Sequence, residues 1–539
     1  MQTASRQRWQ TAHVPTLFRN GRIYSPSSAG VFDASALLVE DGTITWIGTE
    51  DGIGQHVGST VVDLNAAFVT PAFVDAHVHT TSTGLGIVGL SLGSARSLAE
   101  ALDLIERAAR ANRGRPLLGG EWDETDWPEH RPPTSAELDR AAYGGSVYLA
   151  RVDVHSAVVS SSLAATTPGL AALPGYRADG WMSRMAHDAV RTSAQAALTS
   201  SQIRDAQLAA LQAAAALGIA SVHEMAGPAI SSEADLTALL RLAEDEAVPE
   251  VIGYWGELGA VDKARELGAL GAAGDLFCDG SLGSHTAALS KPYADVPDST
   301  GMLRFETAQI AEHVLACNAA GLQAGFHAIG DAAIDQLLDA LDIVGERLGR
   351  AGGAGHRIEH AEFVRSPARL AASGLIASMQ PLFDALWGGP VGMYAQRLGE
   401  LRALDLNRFA ELAAAGVPLA FGSDAPVTPL GPWAAIRAAA YPHDPGAAVS
   451  PRAAFAAHTR GGWRAAGRDG EGVLAPGAPA TFAVWEAGEL AVDAPDERVS
   501  RWSTDPRAAV PGLPDVAPGL PLPECLATYL RGTPIFERT

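Results

Sequence analysis

The sequence has little cysteine and no long apolar run. Its three cysteines, Cys278, Cys317 and Cys525, are too few and too far apart for a disulfide framework, which favours a reducing, cytoplasmic location. No apolar run reaches 18 residues, so we expect no membrane span. The first ten residues include basic side chains, but no apolar segment follows them, so we expect no signal peptide.

Positive charge is also scarce and comes almost wholly from arginine. The formal net charge is −22, which argues against nucleic acid or an anionic membrane as a partner. Lys263 and Lys291 are the only lysines, and with the abundant alanine and glycine this indicates a compositional bias. A hydrophobic content of 47% predicts a globular chain with a large core. We expect a small-molecule substrate, and the sequence is compatible with a homo-oligomer.

The order of predicted strands and helices indicates an α/β fold. Helical segments alternate with short apolar strands from residue 200 onward, and the strand at 73–78 adds one more. This alternation predicts a parallel sheet, and eight repeats predict a closed (β/α)8 TIM-like barrel. The predicted strands are residues 73–78, 219–225, 249–255, 274–280, 322–328, 356–361, 375–380 and 417–424.

Both ends of the chain are predicted to form short strands. Asn20-Gly21 and Asp41-Gly42 are hairpin signals between apolar runs, and strand-like segments return after the last helix. We therefore predict one small composite β-sandwich domain, made from residues 1–70 and 469–539. The barrel then takes residues 71–468, with an α/β insertion after its first strand at about 85–195.

Five metal-competent residues fall at the carboxyl ends of predicted barrel strands. His77 and His79 point the same way because alternate residues of a strand share one face. His327, His360 and Asp424 end the fifth, sixth and eighth strands, and this rim carries the catalytic groups of such barrels. Imidazoles with one carboxylate suit a divalent metal, for which we expect zinc. As the carboxylate of the set, Asp424 is also predicted to be the general base.

Three further residues are candidates for substrate binding. His223 ends the second predicted strand, and Asp279 begins a glycine-rich loop after the fourth. His155 lies in the insertion, which is placed to cover the site. A structural role is the alternative for each of the three.

Several motifs resemble those of the amidohydrolase superfamily. More narrowly, the chain resembles the amidohydrolase-3 branch, which includes N-substituted formamide deformylases. The resemblance implies a metal-dependent hydrolase of amide, formamide or cyclic amide C–N bonds, with the five rim residues as metal ligands. The motifs are Pro71-Ala-Phe-Val-Asp-Ala-His-Val-His79, Asp279-Gly-Ser-Leu-Gly-Ser284, Phe326-His-Ala-Ile-Gly-Asp331, Arg357-Ile-Glu-His360, Ser378-Met-Gln-Pro381 and Phe421-Gly-Ser-Asp-Ala-Pro-Val427.

One position departs from the pattern of this branch. Many relatives have Lys-Leu-Phe-x-Asp-Gly at the fourth strand, and that lysine, when carboxylated, bridges two metals. Here the place is taken by Asp275, which either replaces the bridge or is only a strand-entry residue. Because aspartate is shorter, we expect one tight metal on His77, His79 and Asp424, and a second site that is weak or empty.

Two other functions remain as alternatives. Hydrolytic deaminases of the superfamily usually carry a His-x-x-Glu acid at the fifth strand, where this chain has His327-Ala-Ile-Gly330, and this disfavours deamination. A non-catalytic binding protein that kept the fold is the other alternative. Retention of all five rim residues argues against it.

Overall fold

The computed structural model describes residues 14–24, 33–55, 58–112, 114–124, 127–151, 156–491 and 512–538. The chain divides into two compact units. One unit joins Met1–His79 to Gln212–Thr539, and the other is Thr80–Leu211.

The larger unit contains the predicted barrel. Eight strands lie in one sheet in sequence order, and all of their pairings are parallel. The circle closes where Asp424 N–H donates to His77 O at 2.8 Å and His79 N–H donates to Ala425 O at 2.9 Å. The (β/α)8 architecture is therefore confirmed. The strands are β1 Phe73–Val78, β2 Ile219–Ala226, β3 Glu250–Trp255, β4 Gly271–Ala272, β5 Gln323–Ala328, β6 Arg357–His360, β7 Ile376–Met379 and β8 Leu419–Phe421.

Strand β4 differs from the prediction, which placed it at residues 274–280. The ladder ends at Ala272, because Gly274 adopts a φ of 96° that turns the chain out of the strand conformation. A Cβ at this glycine would also lie 2.8 Å from the Met225 sulfur. Only an isolated bridge between Phe277 and His327 continues the pairing. The early end of β4 leaves Asp275 on an irregular segment at the rim.

α-Helices connect the barrel strands and follow the last one. The amphipathic pattern of Asp331–Leu348 shows how they pack, because most of its apolar side chains are buried while most of its charged ones are exposed. The helices after β2 are Glu233–Asp245, Val261–Glu266, Thr307–Ala320, Asp331–Leu348, Pro367–Ser373, Pro381–Trp387, Met393–Leu398, Glu400–Ala403, Phe409–Ala415, Pro432–Ala440, Pro451–Ala457 and Arg460–Ala465.

Strands from both chain ends share a core beside the barrel. Phe68–Pro71 pairs antiparallel with Phe482–Glu486, so the two ends meet in one sheet. Phe18 contacts Phe482 and Tyr529 at ring-centroid distances of 5.1 and 5.2 Å. One sheet contains Thr16–Arg19, Ala36–Glu40, Thr43–Gly48 and Thr60–Asp63; the other contains Arg22–Ile23, Phe68–Pro71, Phe482–Glu486, Glu524–Leu530 and Thr533–Glu537; Leu490–Ala491 and Leu513–Pro514 form a two-stranded ribbon.

This shared core predicts the effect of a truncation. Ending the chain at Arg468 should give insoluble or molten protein, because Phe18 and Val69 would lose the apolar residues that bury them. Near-UV circular dichroism and dye binding of the purified truncation would report the loss of packing. A well-folded and fully active truncation would contradict the shared core.

The smaller unit, Thr80–Leu211, is a separate α/β layer. Its five-stranded sheet has parallel and antiparallel neighbours. No helix in the described part of the chain has the length and apolar character needed to cross a bilayer. The strands are Leu90–Ser91, Leu117–Trp122, Val147–Arg151, Ser156–Val159 and Trp181–Ser183, and the helices are Thr80–Val88, Leu98–Asn112, Ser135–Ala141, Ser161–Thr166, Arg184–Ala196 and Ser200–Ala215, the last of which continues into the larger unit.

Candidate metal centre

Six side chains converge at the carboxyl ends of five barrel strands. Each is between 0% and 8% exposed, so the cluster is almost wholly buried. The cluster contains all five residues predicted to bind metal, together with Asp275, the residue that departs from the family motif. The six are His77 and His79 from β1, Asp275 after β4, His327 in β5, His360 at the end of β6 and Asp424 after β8.

Asp424 lies against the two histidines of β1. Its Oδ1 atom is 3.5 Å from His77 Nε2 and 3.1 Å from His79 Nε2. These three atoms form one group with metal-ligand spacing.

Asp275 contacts all four histidines. Its Oδ2 atom lies 3.2 Å from His79 Nε2. Its Oδ1 atom lies 3.6 Å from His77 Nε2 and 3.5 Å from His327 Nδ1. The Nε2 atom of His360 is 3.7 Å from the same oxygen. Asp275 therefore has an oxygen within 3.7 Å of each of the four histidines, and the expectation of one tight metal stays a prediction.

The spacing and the unpaired atoms of the cluster fit a divalent metal. Two ligands of a tetrahedral ion with bonds near 2.0–2.1 Å are roughly 3.3 Å apart, close to the distances observed around both carboxylates. Three buried atoms, His77 Nε2, His327 Nδ1 and Asp275 Oδ1, have no hydrogen-bond partner in the described structure. Buried polar atoms seldom stay unpaired, and all three face the centre of the cluster.

Hydrogen bonds orient the two histidines of β1 towards the cluster. Glu359 Oε2 accepts from His77 Nδ1 at 2.9 Å, and the backbone oxygen of Met225 accepts from His79 Nδ1 at 3.1 Å. Because a neutral imidazole has one N–H group, these acceptors favour the tautomer with the proton on Nδ1, in which Nε2 can bind a metal. Such bonds are typical behind metal-binding histidines.

The other two histidines are held in the same way. Gln380 Oε1 accepts from His360 Nδ1 at 2.9 Å, which leaves His360 Nε2 free. His327 is reversed, because its Nε2 donates to Gly280 O at 3.2 Å and its Nδ1 faces Asp275. Each of the four imidazoles thus turns one ring nitrogen towards the cluster, and a bound cation would take the place of any proton there.

The contact between Gln380 and His360 supports a direct test. Gln380→Leu should weaken metal binding about tenfold or more, because His360 loses the acceptor that fixes its tautomer. Chelator competition measures the affinity, and Gln380→Glu is the matched control because it keeps an acceptor at similar size. Equal metal affinity in the leucine variant and wild type would show that this bond does not orient the ligand.

A buried ion pair behind the cluster was missed by the sequence reasoning. Arg357 binds both carboxylate oxygens of Glu359, the residue that orients His77. Burial alone would raise the pKa of Glu359, but Arg357 and His77 outweigh it and lower that pKa to about 2. The alternation of residues 357 and 359 on β6 is a signal that could have placed both inside the barrel.

Two of the cluster residues have left-handed backbone conformations. His360 has a φ of 72° and Asp424 a φ of 56°, which are uncommon for residues other than glycine. The turn at His360 brings its side chain into the barrel although Glu359, its neighbour on the strand, already points there. Strand alternation alone would place these two side chains on opposite faces.

The three predicted substrate-binding residues have different positions. His223 lies behind the cluster, where its Nδ1 accepts from Arg357 at 3.0 Å; burial, then the charge of Arg357, lowers its pKa well below the usual value, so it stays neutral. Asp279 is wholly buried and accepts backbone N–H groups of Ala288, Ile329 and Gly330, so in this structure it holds the rim loops. His155 lies outside the described residues.

The electrostatics of the cluster keep its carboxylates ionised. Burial would raise the pKa of Asp275 and Asp424, but the imidazoles around them outweigh it and lower both values. Burial also disfavours a charged His77, yet the two carboxylates raise its pKa to about 10. A binding cation must therefore displace protons from imidazole, so metal affinity should fall as the pH falls.

Comparison with known proteins gives relatives along most of the chain. Putative amidohydrolase YtcJ of Bacillus subtilis (strain 168) is 25% identical over 457 residues, which is 79% of this chain and 83% of the relative. N-substituted formamide deformylase of Arthrobacter pascens is 30% identical over 134 residues, which is 24% of this chain and 25% of the relative.

Solved structures also include a relative that matches most of the chain. The crystal structure of an uncharacterized metal-dependent hydrolase from Pyrococcus furiosus superposes with a TM-score of 0.75 and 29% sequence identity, covering 87% of this chain and 98% of that chain. The sequence model of the amidohydrolase family matches residues 60–536. This match covers most of the chain and includes the whole barrel with its metal-competent rim, so the chain belongs to the amidohydrolase family.

Proposed function

We propose that the protein is a metal-dependent hydrolase of carbon–nitrogen bonds in amides, formamides or cyclic amides. The observation that carries this proposal is the cluster of four oriented imidazoles and two ionised carboxylates at the barrel rim, with 3.1–3.7 Å between carboxylate and imidazole atoms. Nitrogen and oxygen donors in this number suit zinc better than harder cations such as magnesium.

We further propose that the cluster holds two ions rather than one. The ligand atoms make two groups with metal-ligand spacing that share His77, and Asp275 has an oxygen near His79, His327 and His360. An aspartate in this position supplies the shared negative charge that two close dications need. One group is His77, His79 and Asp424, and the other is His77, Asp275 and His360. His327 Nδ1 lies 3.5 Å from Oδ1 of Asp275 in the second group.

The chemistry then divides between the ions and Asp424. A zinc ion held by these residues would lower the pKa of water towards about 7 and would polarise a substrate carbonyl. Asp424 is 5% exposed and has a lowered pKa, since the surrounding imidazoles outweigh its burial, so it is an ionised base at neutral pH. In this role it accepts the proton of the attacking water and delivers it to the leaving amine.

One relative and one loop favour hydrolysis of an amide over hydrolytic deamination. The formamide deformylase of Arthrobacter pascens matches part of this chain. At the place where a deaminase needs a glutamate, a Cβ on Gly330 would lie 2.0 Å from Ala288 O. The loop has no room for an acid at this position.

A hydrolysis screen of the metal-loaded protein tests the proposal. The panel should contain N-formyl amines, N-acyl amines and cyclic amides, with matching amino-heterocycles as deaminase substrates, and the chelated protein as control. We expect metal-dependent release of amine from at least one amide class. Ammonia release from the heterocycles alone would assign deamination instead, and an inert panel would favour a binding protein.

A further inference from the structure

The rim next to His327 has an aromatic side chain with one face towards an arginine. Phe277 follows Asp275 by two residues and is only partly buried. Its ring lies 4.7 Å from the His327 ring, centroid to centroid. The guanidinium carbon of Arg304 lies 5.1 Å from the centre of the same ring, within the range of a cation–π contact. Because Phe277 contacts both residues, the guanidinium carbon of Arg304 lies within about 10 Å of the ring centre of His327, a candidate metal ligand.

The backbone of Arg304 is bonded to the segment that contains Phe277, but its guanidinium has no ion-pair partner among the described residues. Its N–H donates to Cys278 O at 2.9 Å, which fixes the residue beside the irregular stretch after β4. The side chain is exposed, and no carboxylate of the described residues pairs with it. Two other arginines have partners: Arg397 pairs with Asp295, and Arg402 donates to the backbone oxygens of Lys291 and Pro292.

We propose that Arg304 binds a carboxylate of the substrate, so that the preferred substrates are N-acyl or N-formyl compounds carrying an acidic group. This inference rests on the proposed C–N hydrolase function. The planar guanidinium fork matches a single carboxylate. In a substrate whose carboxylate is about four bonds from the scissile carbonyl, bond lengths near 1.5 Å keep these two groups closer together than the His327 ring and the Arg304 guanidinium are. Such a substrate fits between the cluster and Arg304. In a chain of net charge −22, an unpaired arginine at the rim also favours the approach of an anion.

A matched pair of substrates tests the proposal with the metal-loaded enzyme. N-formyl-β-alanine and its methyl ester differ only in the distal charge. Arg304→Gln should raise KM for the acid about tenfold to a hundredfold, leave kcat within about threefold, and change the ester little. Arg304→Lys should recover part of the loss, and Arg241→Gln, which removes an exposed charge from the helix Glu233–Asp245, should change neither substrate. Equal effects on acid and ester would overturn the proposal.

A binding measurement keeps this test separate from the proposed activity. Glutaric monohydroxamic acid and pentanohydroxamic acid share a metal-binding head and differ in the distal carboxylate. Calorimetry should show the acid binding wild type about tenfold or more tightly than its neutral partner, with the difference lost in Arg304→Gln. If no amide is hydrolysed but this difference is present, the proposed activity fails and the anion site stands. Equal affinities, or no binding of either compound, would overturn the anion site.

Discussion

Replacing Asp424 with asparagine is expected to lower kcat by about 100-fold or more. Asparagine keeps an oxygen of similar position, but it cannot accept a proton at neutral pH, so the proton of the attacking water loses its acceptor. The imidazoles next to Asp424 lower its pKa against the effect of burial, and the wild-type residue is therefore ionised and available as base.

Metal content must be measured beside kcat because Asp424 Oδ1 also lies near His77 and His79. The prediction is a large loss of kcat in a variant that still holds metal. Asp262→Asn, the same chemical change at a side chain that is 92% exposed, is the matched control and should be fully active. An Asp424→Asn enzyme with near-normal kcat would remove Asp424 from the proton-transfer role.

Asp275→Ala is expected to lose at least one of two tightly bound ions. In wild type, Asp275 places Oδ2 near His79 and Oδ1 near His327 and His360. Without this carboxylate, two dications a few ångströms apart would lack the negative charge between them, and their repulsion is strong in a site that excludes water. Activity should also be indifferent to bicarbonate, because neither lysine of the chain is at this position to be carboxylated.

Elemental analysis after extensive dialysis measures this effect directly. We expect about two ions per chain in wild type, about one or none in Asp275→Ala, and wild-type content in the control Asp262→Ala. One ion per chain in wild type would support the expectation that the short side chain of Asp275 cannot bridge two ions. Two ions in Asp275→Ala would show that the other five residues suffice.

The sequence allows the barrel and most of its rim to be predicted, because both depend on short-range patterns. Alternation within β1 places His77 and His79 on one face, and the repeat of helix and strand gives eight parallel strands. The end of β4 could not be predicted in this way. Its early end depends on the conformation of Gly274 and on the contact with Met225, which comes from another strand.

The interior of the site was harder to predict than its rim. The roles of Glu359 and Gln380 depend on the register of β6 and β7 relative to the histidines they orient, and register across a barrel is not visible in one strand. The contacts of Asp275 could not be predicted from side-chain length alone, because they depend on the path of the backbone. The irregular segment after β4 brings this short side chain to the centre.

Metal titration of the apoprotein tests the central claim most directly. Protein stripped with a chelator is reloaded with zinc in steps, and bound metal and hydrolysis of the best amide from the screen are measured on the same samples. We predict that the rate rises with bound metal and levels off near two ions per chain, whereas His77→Ala neither retains the full metal content nor becomes active. Full activity in the stripped protein, or in His77→Ala, would contradict a metal-dependent hydrolase built on this cluster.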